Sequence, residues 1–132
     1  MNLAPFLSHS FAVQFHLVAA LLAFGIGAVQ LARPKGTPAH RVRGYTWVVL
    51  IVAVAISSFW ITGLAGQGRF SLIHLLSIFT LATLGLAMWA IHTGRVQTHR
   101  FSMIGVYTGG LIGAGAGAFA PGRLLSQILG YA

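Results

Sequence analysis

Residues 11–32, FAVQFHLVAALLAFGIGAVQLA, decide the fold: 22 consecutive positions without an Asp, Glu, Lys or Arg. At about 1.5 Å per helical residue the run is ~33 Å long, enough to cross the ~30 Å hydrocarbon core of a bilayer. Residues 44–66, 70–91 and 101–120 have the same character, and none carries Lys or Arg. The expectation is an all-α integral membrane protein, a four-helix up-down bundle forming one domain over 1–132, with spans at about 11–32, 44–66, 70–91 and 101–120. Short connections make successive helices antiparallel neighbours. Residues 1–10 lack the basic start of a signal peptide and the run after them is long, so 11–32 reads as a span.

Composition points the same way. Of 132 residues 57% are hydrophobic and 6% charged, where a soluble domain carries roughly a quarter charged residues. A chain this small cannot hide so much apolar surface in its own interior, because small domains have a high ratio of surface to volume. There is no Asp, Glu or Cys. Carboxylate acid–base chemistry, calcium or magnesium cages, thiol catalysis, disulfides and thiolate metal sites are therefore excluded for this chain alone. Histidine is the versatile ligand and acid–base group that remains.

Eight Lys plus Arg face no acid, and they lie between apolar runs without the aromatic–basic groove of a nucleic-acid binder. Anionic lipid headgroups or a carboxylate-bearing ligand are the expected counter-charges. Six of the eight (Arg33, Lys35, Arg41, Arg43, Arg95, Arg100) fall in the first and third loops, against Arg69 and Arg123 on the other side. The positive-inside rule then places both termini outside the cytoplasm, with the bacterial inner membrane as the expected site. Turn signals divide the chain consistently. Thr37-Pro38 starts a helix as N-cap and N1, Gly63 to Gly68 forms a tight turn, Thr93-Gly94 closes the third span, Thr98 offers a cap for the fourth, and Pro121-Gly122 ends it.

The two halves of the chain repeat each other. His40 follows His16 by 24 residues and His99 follows His74 by 25, while Gly27 and Gly85 each lie eleven residues after the first His of their half. The bundle is thus expected to consist of two repeated helical hairpins. Antiparallel alternation puts His16 and His74 near the outer ends of the first and third helices, and His40 and His99 at the inner ends of the second and fourth. Such pairs suit axial ligation of a metal centre by imidazoles from different helices. At 100° per residue His16 shares a face with Ala20, Ala23, Gly27 and Gln30, and His99 with Gly110, Gly113 and Gly117, so both faces offer clearance for a flat macrocycle. On the third helix His74, Leu81, Gly85, Met88 and His92 align, and His92 rivals His99 for the inner position. Arg41, Arg43 and Arg100 flank the inner histidines, where propionates, lipid phosphates or a neighbouring subunit would pair with them.

Each of these features has a plainer explanation beside the sharper one. His16 and His74 can serve as hydrogen-bonding glue between helices, and His40 and His99 as polar residues of helix ends. The ladder Gly105, Gly109, Gly113, Gly117 reads first as a helix-packing surface, hence a homo- or hetero-oligomer contact. Tyr45, Trp47, Trp60, Trp89 and Tyr107 lie near span ends and read as interfacial anchors.

With His16, His40-Arg41-x-x-Gly44, His74 and His99-Arg100 over about residues 9–120, the chain resembles a family of uncharacterised bacterial four-helix membrane proteins, a domain of unknown function. That resemblance implies a fold but no reaction. The pairing of helices also resembles the core of ascorbate-reducible di-haem b-type cytochromes, which would make His16 with His74 and His40 with His99 axial pairs. The chain departs from them in lacking flanking helices and in placing its inner histidines at helix ends.

Three functions are expected to compete, the first of them leading. One is a transmembrane electron carrier holding one or two haem b groups through His16, His74, His40 and His99, with Arg41, Arg43 and Arg100 beside them and a quinone or other redox partner. The second is a non-catalytic membrane subunit, an assembly or lipid-binding partner of a larger complex. The third is a His-lined proton or solute transporter, disfavoured by the small volume that four short helices enclose.

Overall fold

The computed structural model describes residues 1–61 and 71–130. The expected turn at Gly63 to Gly68, Arg69 and the adjoining ends of the second and third spans lie outside them. Among the described residues four helices are long and apolar enough to span a membrane: α2 (Phe11–Ala32), α3 (Pro38–Ser58), α4 (Leu72–His92) and α5 (Val96–Ala118). Two short helices, α1 (Ala4–Ser8) and α6 (Leu124–Leu129), flank them.

Local chemistry explains where the long helices begin and end. Thr37 Oγ1 accepts the His40 N–H at 3.0 Å with Pro38 at the first helical turn, so α3 starts at the expected Thr-Pro signal. Lys35 Nζ donates to the carbonyls of Gln30 (2.8 Å), Leu31 (2.9 Å) and Arg33 (2.6 Å), which closes the end of α2. At the end of α4 the Arg95 N–H reaches back to the Ala90 carbonyl at 2.8 Å across Gly94, whose φ of 76° is the left-handed value that this turn requires. The fourth span starts at Val96 with Arg95 before it, so Thr98 lies inside the helix and does not cap it.

The helices pack in a ring. Successive spans α2–α3, α3–α4 and α4–α5 are neighbours, and the middle of α5 returns onto α2. This is the expected up-down bundle. Its buried core is a cluster of Ala23, Trp47, Ile51, Leu84, Val106, Tyr107 and Leu111. Large apolar side chains such as Leu21, Val49, Phe79 and Phe101 point outward, as they must where lipid is the solvent.

Two features of this architecture are absent from the sequence reading. Residues Val106–Gly113 of α5 form a π segment, whose wider turn lets Val106 and Leu111 both point into the core. It also breaks the helical phase on which the expected His99, Gly110, Gly113, Gly117 face depended. Gly110 meets Thr80, while Gly113 and Gly117 are exposed. In addition α1 packs on α6, with the Asn2 N–H donating to the Ile128 carbonyl at 2.9 Å. The end of the bundle bearing α1 and α6 is called the terminal end below, and the end bearing the α2–α3 and α4–α5 connections the loop end.

Candidate functional site

Inside a membrane a polar side chain needs a protein partner, so the hydrogen bonds of the four paired histidines indicate what each can do. At the terminal end the His16 Nδ1 lies 3.0 Å from Ser57 Oγ, and that hydroxyl gives its one proton to the Val54 carbonyl at 3.0 Å. With the hydroxyl proton so placed, His16 donates from Nδ1, which leaves the lone pair of the neutral ring on Nε2. His74 has the opposite form. Its Nδ1 accepts the Ser71 N–H at 3.0 Å and lies 3.1 Å from Ser71 Oγ, so the proton of the neutral ring sits on Nε2. The ring also stacks on Phe59, with centroids 5.6 Å apart.

Ser71 and His74 thus form a capping box at the start of α4, with His in the place usually taken by Glu or Gln. Ser58 and Ser77 join α3 to α4 through hydroxyls 2.6 Å apart. Ser58 Oγ is also 2.6 Å from the Ala55 carbonyl and Ser77 Oγ 3.0 Å from the Ile73 carbonyl. Two hydroxyl protons serve three contacts, so only two are hydrogen bonds at any instant.

The loop end differs in charge. His99 Nδ1 donates to the Ala87 carbonyl of α4 at 2.9 Å, leaving its lone pair on Nε2. His40 lies in the first turn of α3 at this end, with Lys35 before it and Arg43 one turn after it. His40 Nδ1 is buried and has no hydrogen-bond partner among the described residues. His92, the rival of His99, is exposed and bonds its own helix at the Met88 carbonyl, 2.7 Å away. Arg43 Nε donates to Gln30 Oε1 at 3.1 Å, and Gln30 Nε2 donates to the His40 carbonyl at 2.8 Å. Arg41 and Arg100 are exposed beside them. Gln30 is the residue that sequence reasoning missed here. It appeared only as part of the His16 face, and no motif marks an uncharged connector.

The middle of the bundle decides how much space the small residues leave. The Trp47 Nε1–H donates to the Ala23 carbonyl at 2.9 Å and the Tyr107 hydroxyl to the Phe24 carbonyl at 3.2 Å. A Cβ on Gly27 would collide with the Tyr107 ring and lie 2.8 Å from Trp47 Nε1. Ala23 and Gly27 therefore seat two aromatic rings. Trp47 and Tyr107 are 3% and 7% exposed and are core residues rather than the expected interfacial anchors, whereas Tyr45, Trp60 and Trp89 are exposed as expected. The repeat also breaks here, since nothing lies within 4 Å of a Cβ on Gly85.

These observations bear on the expected haem. A metal-bound imidazole ordinarily donates Nδ1–H to an oxygen and presents Nε2. His16 and His99 have that form; His74 does not. The cavity bounded by Gly27, Gln30, Gly44, Trp47, Met103 and Tyr107 is about 40 Å³, room for a water rather than the several hundred Å³ of a cofactor pocket. A groove of about 460 Å³ between α2 and α3, lined by Phe11, Phe15, Ile56, Ser57 and Trp60, opens outward on the surface. No group of three or more His, Cys, Asp or Glu able to hold a metal ion occurs among the described residues. As they stand, the residues do not fit a macrocycle along the small-residue face of α2.

A family model described as "Predicted membrane protein (DUF2306)" matches residues 13–120. No curated protein and no solved structure matches the chain.

Proposed function

This chain belongs to that family of predicted membrane proteins, and we propose that it acts as a non-catalytic multi-pass subunit, completed in the bilayer by anionic groups at its loop end and by another helix. The observation that carries this reading is the filled interior: Trp47 and Tyr107 occupy the space beside the small residues of α2. The surface supports it too. Eight cations have no acidic partner in the chain, and Gly105, Gly109 and Gly117 have nothing within 4 Å of an added Cβ. Small residues let a second helix approach closely in lipid. The apolar core between the polar clusters of the two ends argues against a proton path through the bundle.

The test is mild-detergent extraction followed by native electrophoresis of the tagged chain. Gly113→Leu is expected to dissociate the assembly, and His16→Ala and His74→Ala to leave it intact. The reverse pattern would refute the proposal. We infer the bacterial inner membrane as its place, and the excess of Lys and Arg in the first and third loops supports both termini lying outside the cytoplasm. The chain has no Cys, so a single Cys placed near either terminus should react with an impermeant maleimide in spheroplasts.

A second reading, a haem b electron carrier with a quinone or other redox partner, is favoured by the Nδ1-anchored rings of His16 and His99. His16 with His74 and His40 with His99 would hold the group, and Arg41, Arg43 and Arg100 would face its carboxylates. When bound, it would supply one-electron chemistry. His74 would first have to give up the Ser71 N–H.

A further inference from the structure

Cations gathered at one end of a chain without acidic side chains repel one another unless an outside anion joins them. At the loop end these cations are not equivalent. The three N–H donors of Lys35 are matched by three carbonyls, so its ammonium is committed to the end of α2. Arg43 is held differently. Its Nε is fixed by Gln30, and Gln30 is itself fixed by the His40 carbonyl, while the terminal guanidinium nitrogens bind no group among the described residues. The fork is thereby oriented with donors to spare. One turn before it on α3 is His40, whose buried Nδ1 lacks a partner among the described residues.

A planar guanidinium held through one nitrogen and open at the other two suits a tetrahedral oxyanion, which it can bind through two parallel hydrogen bonds. From this geometry we infer that Arg43, braced by Gln30 and with His40 one turn before it, forms a built site for a phosphate group at the loop end of the bundle. The phosphate of an anionic lipid headgroup and free phosphate share this chemistry. The inference rests on the reading that anionic groups complete the protein, and it assigns the residues and the class of anion. Diffuse attraction between a basic loop and a charged membrane needs neither the Gln30 brace nor an arginine at position 43. A built site needs both.

The experiment is calorimetric titration of the full chain in zwitterionic micelles with short-chain phosphatidylglycerol and, separately, with inorganic phosphate. Arg43→Lys keeps the charge and loses the braced fork, Arg43→Gln loses both, and Arg123→Gln removes one charge at the terminal end. Both Arg43 variants are expected to weaken binding at least about tenfold, and Arg123→Gln less than about twofold. Phosphatidylglycerol binding that inorganic phosphate does not displace identifies the headgroup as the ligand; displacement identifies free phosphate. Arg43→Lys binding like wild type, equal losses for Arg43→Gln and Arg123→Gln, or no wild-type binding of either probe would overturn the site. Loss of the assembly in Gly113→Leu alongside any of those results would remove the phosphate site and leave the subunit reading standing.

Discussion

Gly27→Ala should destabilise the bundle although it adds only a methyl group to a helix. In an open helical position the change would gain about 1 kcal/mol, the difference in helix propensity between Ala and Gly. Position 27 is not open. The new Cβ meets the Tyr107 ring and lies 2.8 Å from Trp47 Nε1, and both rings are buried with no free end to swing aside. Overpacking of this kind costs about 1–3 kcal/mol. Displacing the rings also strains the Trp47–Ala23 and Tyr107–Phe24 hydrogen bonds, each worth about 1 kcal/mol. The net expectation is a loss of about 2 kcal/mol. Gly85→Ala, at the equivalent position of the other half with nothing within 4 Å, should be neutral or stabilising by up to about 1 kcal/mol. Equilibrium unfolding in mixed micelles, followed by tryptophan fluorescence, measures both variants. Equal effects at the two glycines would refute the packing argument.

Other perturbations follow from the same contacts. Ser71→Ala and His74→Ala should each cost about 0.5–2 kcal/mol of unfolding free energy, and the double variant less than their sum, because they share one capping box. Ser58→Ala should lose about 0.6 kcal/mol, a typical cross-helix hydrogen bond in lipid, and Ser77→Ala about as much, with positive coupling in a double-mutant cycle. Lys35→Met should lower the unfolding midpoint by removing the three-carbonyl closure of α2, while changing phosphatidylglycerol binding far less than Arg43→Lys does.

The spans were legible because charge is absent from them, and the start of α3 because Thr37-Pro38 is a strong local signal. Other features lay beyond pattern reading. Trp47 and Tyr107 stand near span ends, where aromatic residues usually anchor; their inward turn depends on the Ala23 and Phe24 carbonyls and on the gap at Gly27, which are tertiary facts. The π segment could not be read from an assumed 100° step, although the 106, 107, 111 spacing of large residues would have fitted a wider turn. His74 as a capping residue was within reach, since Ser71-x-x-His74 has the spacing of a capping box, but a template that demands Glu or Gln passes over it. The histidine repeat was legible as a pattern, yet it did not fix the ring tautomers, and these separate His16 and His99 from His74.

The most direct test of the filled-interior account is the visible absorption spectrum of the detergent-purified chain, expressed with ample haem supply and recorded oxidised and dithionite-reduced, for wild type and His99→Ala. A featureless visible spectrum is expected for both; a sharp reduced α-band in wild type that is lost in the variant would contradict the filled interior and show that the chain binds a b-type haem.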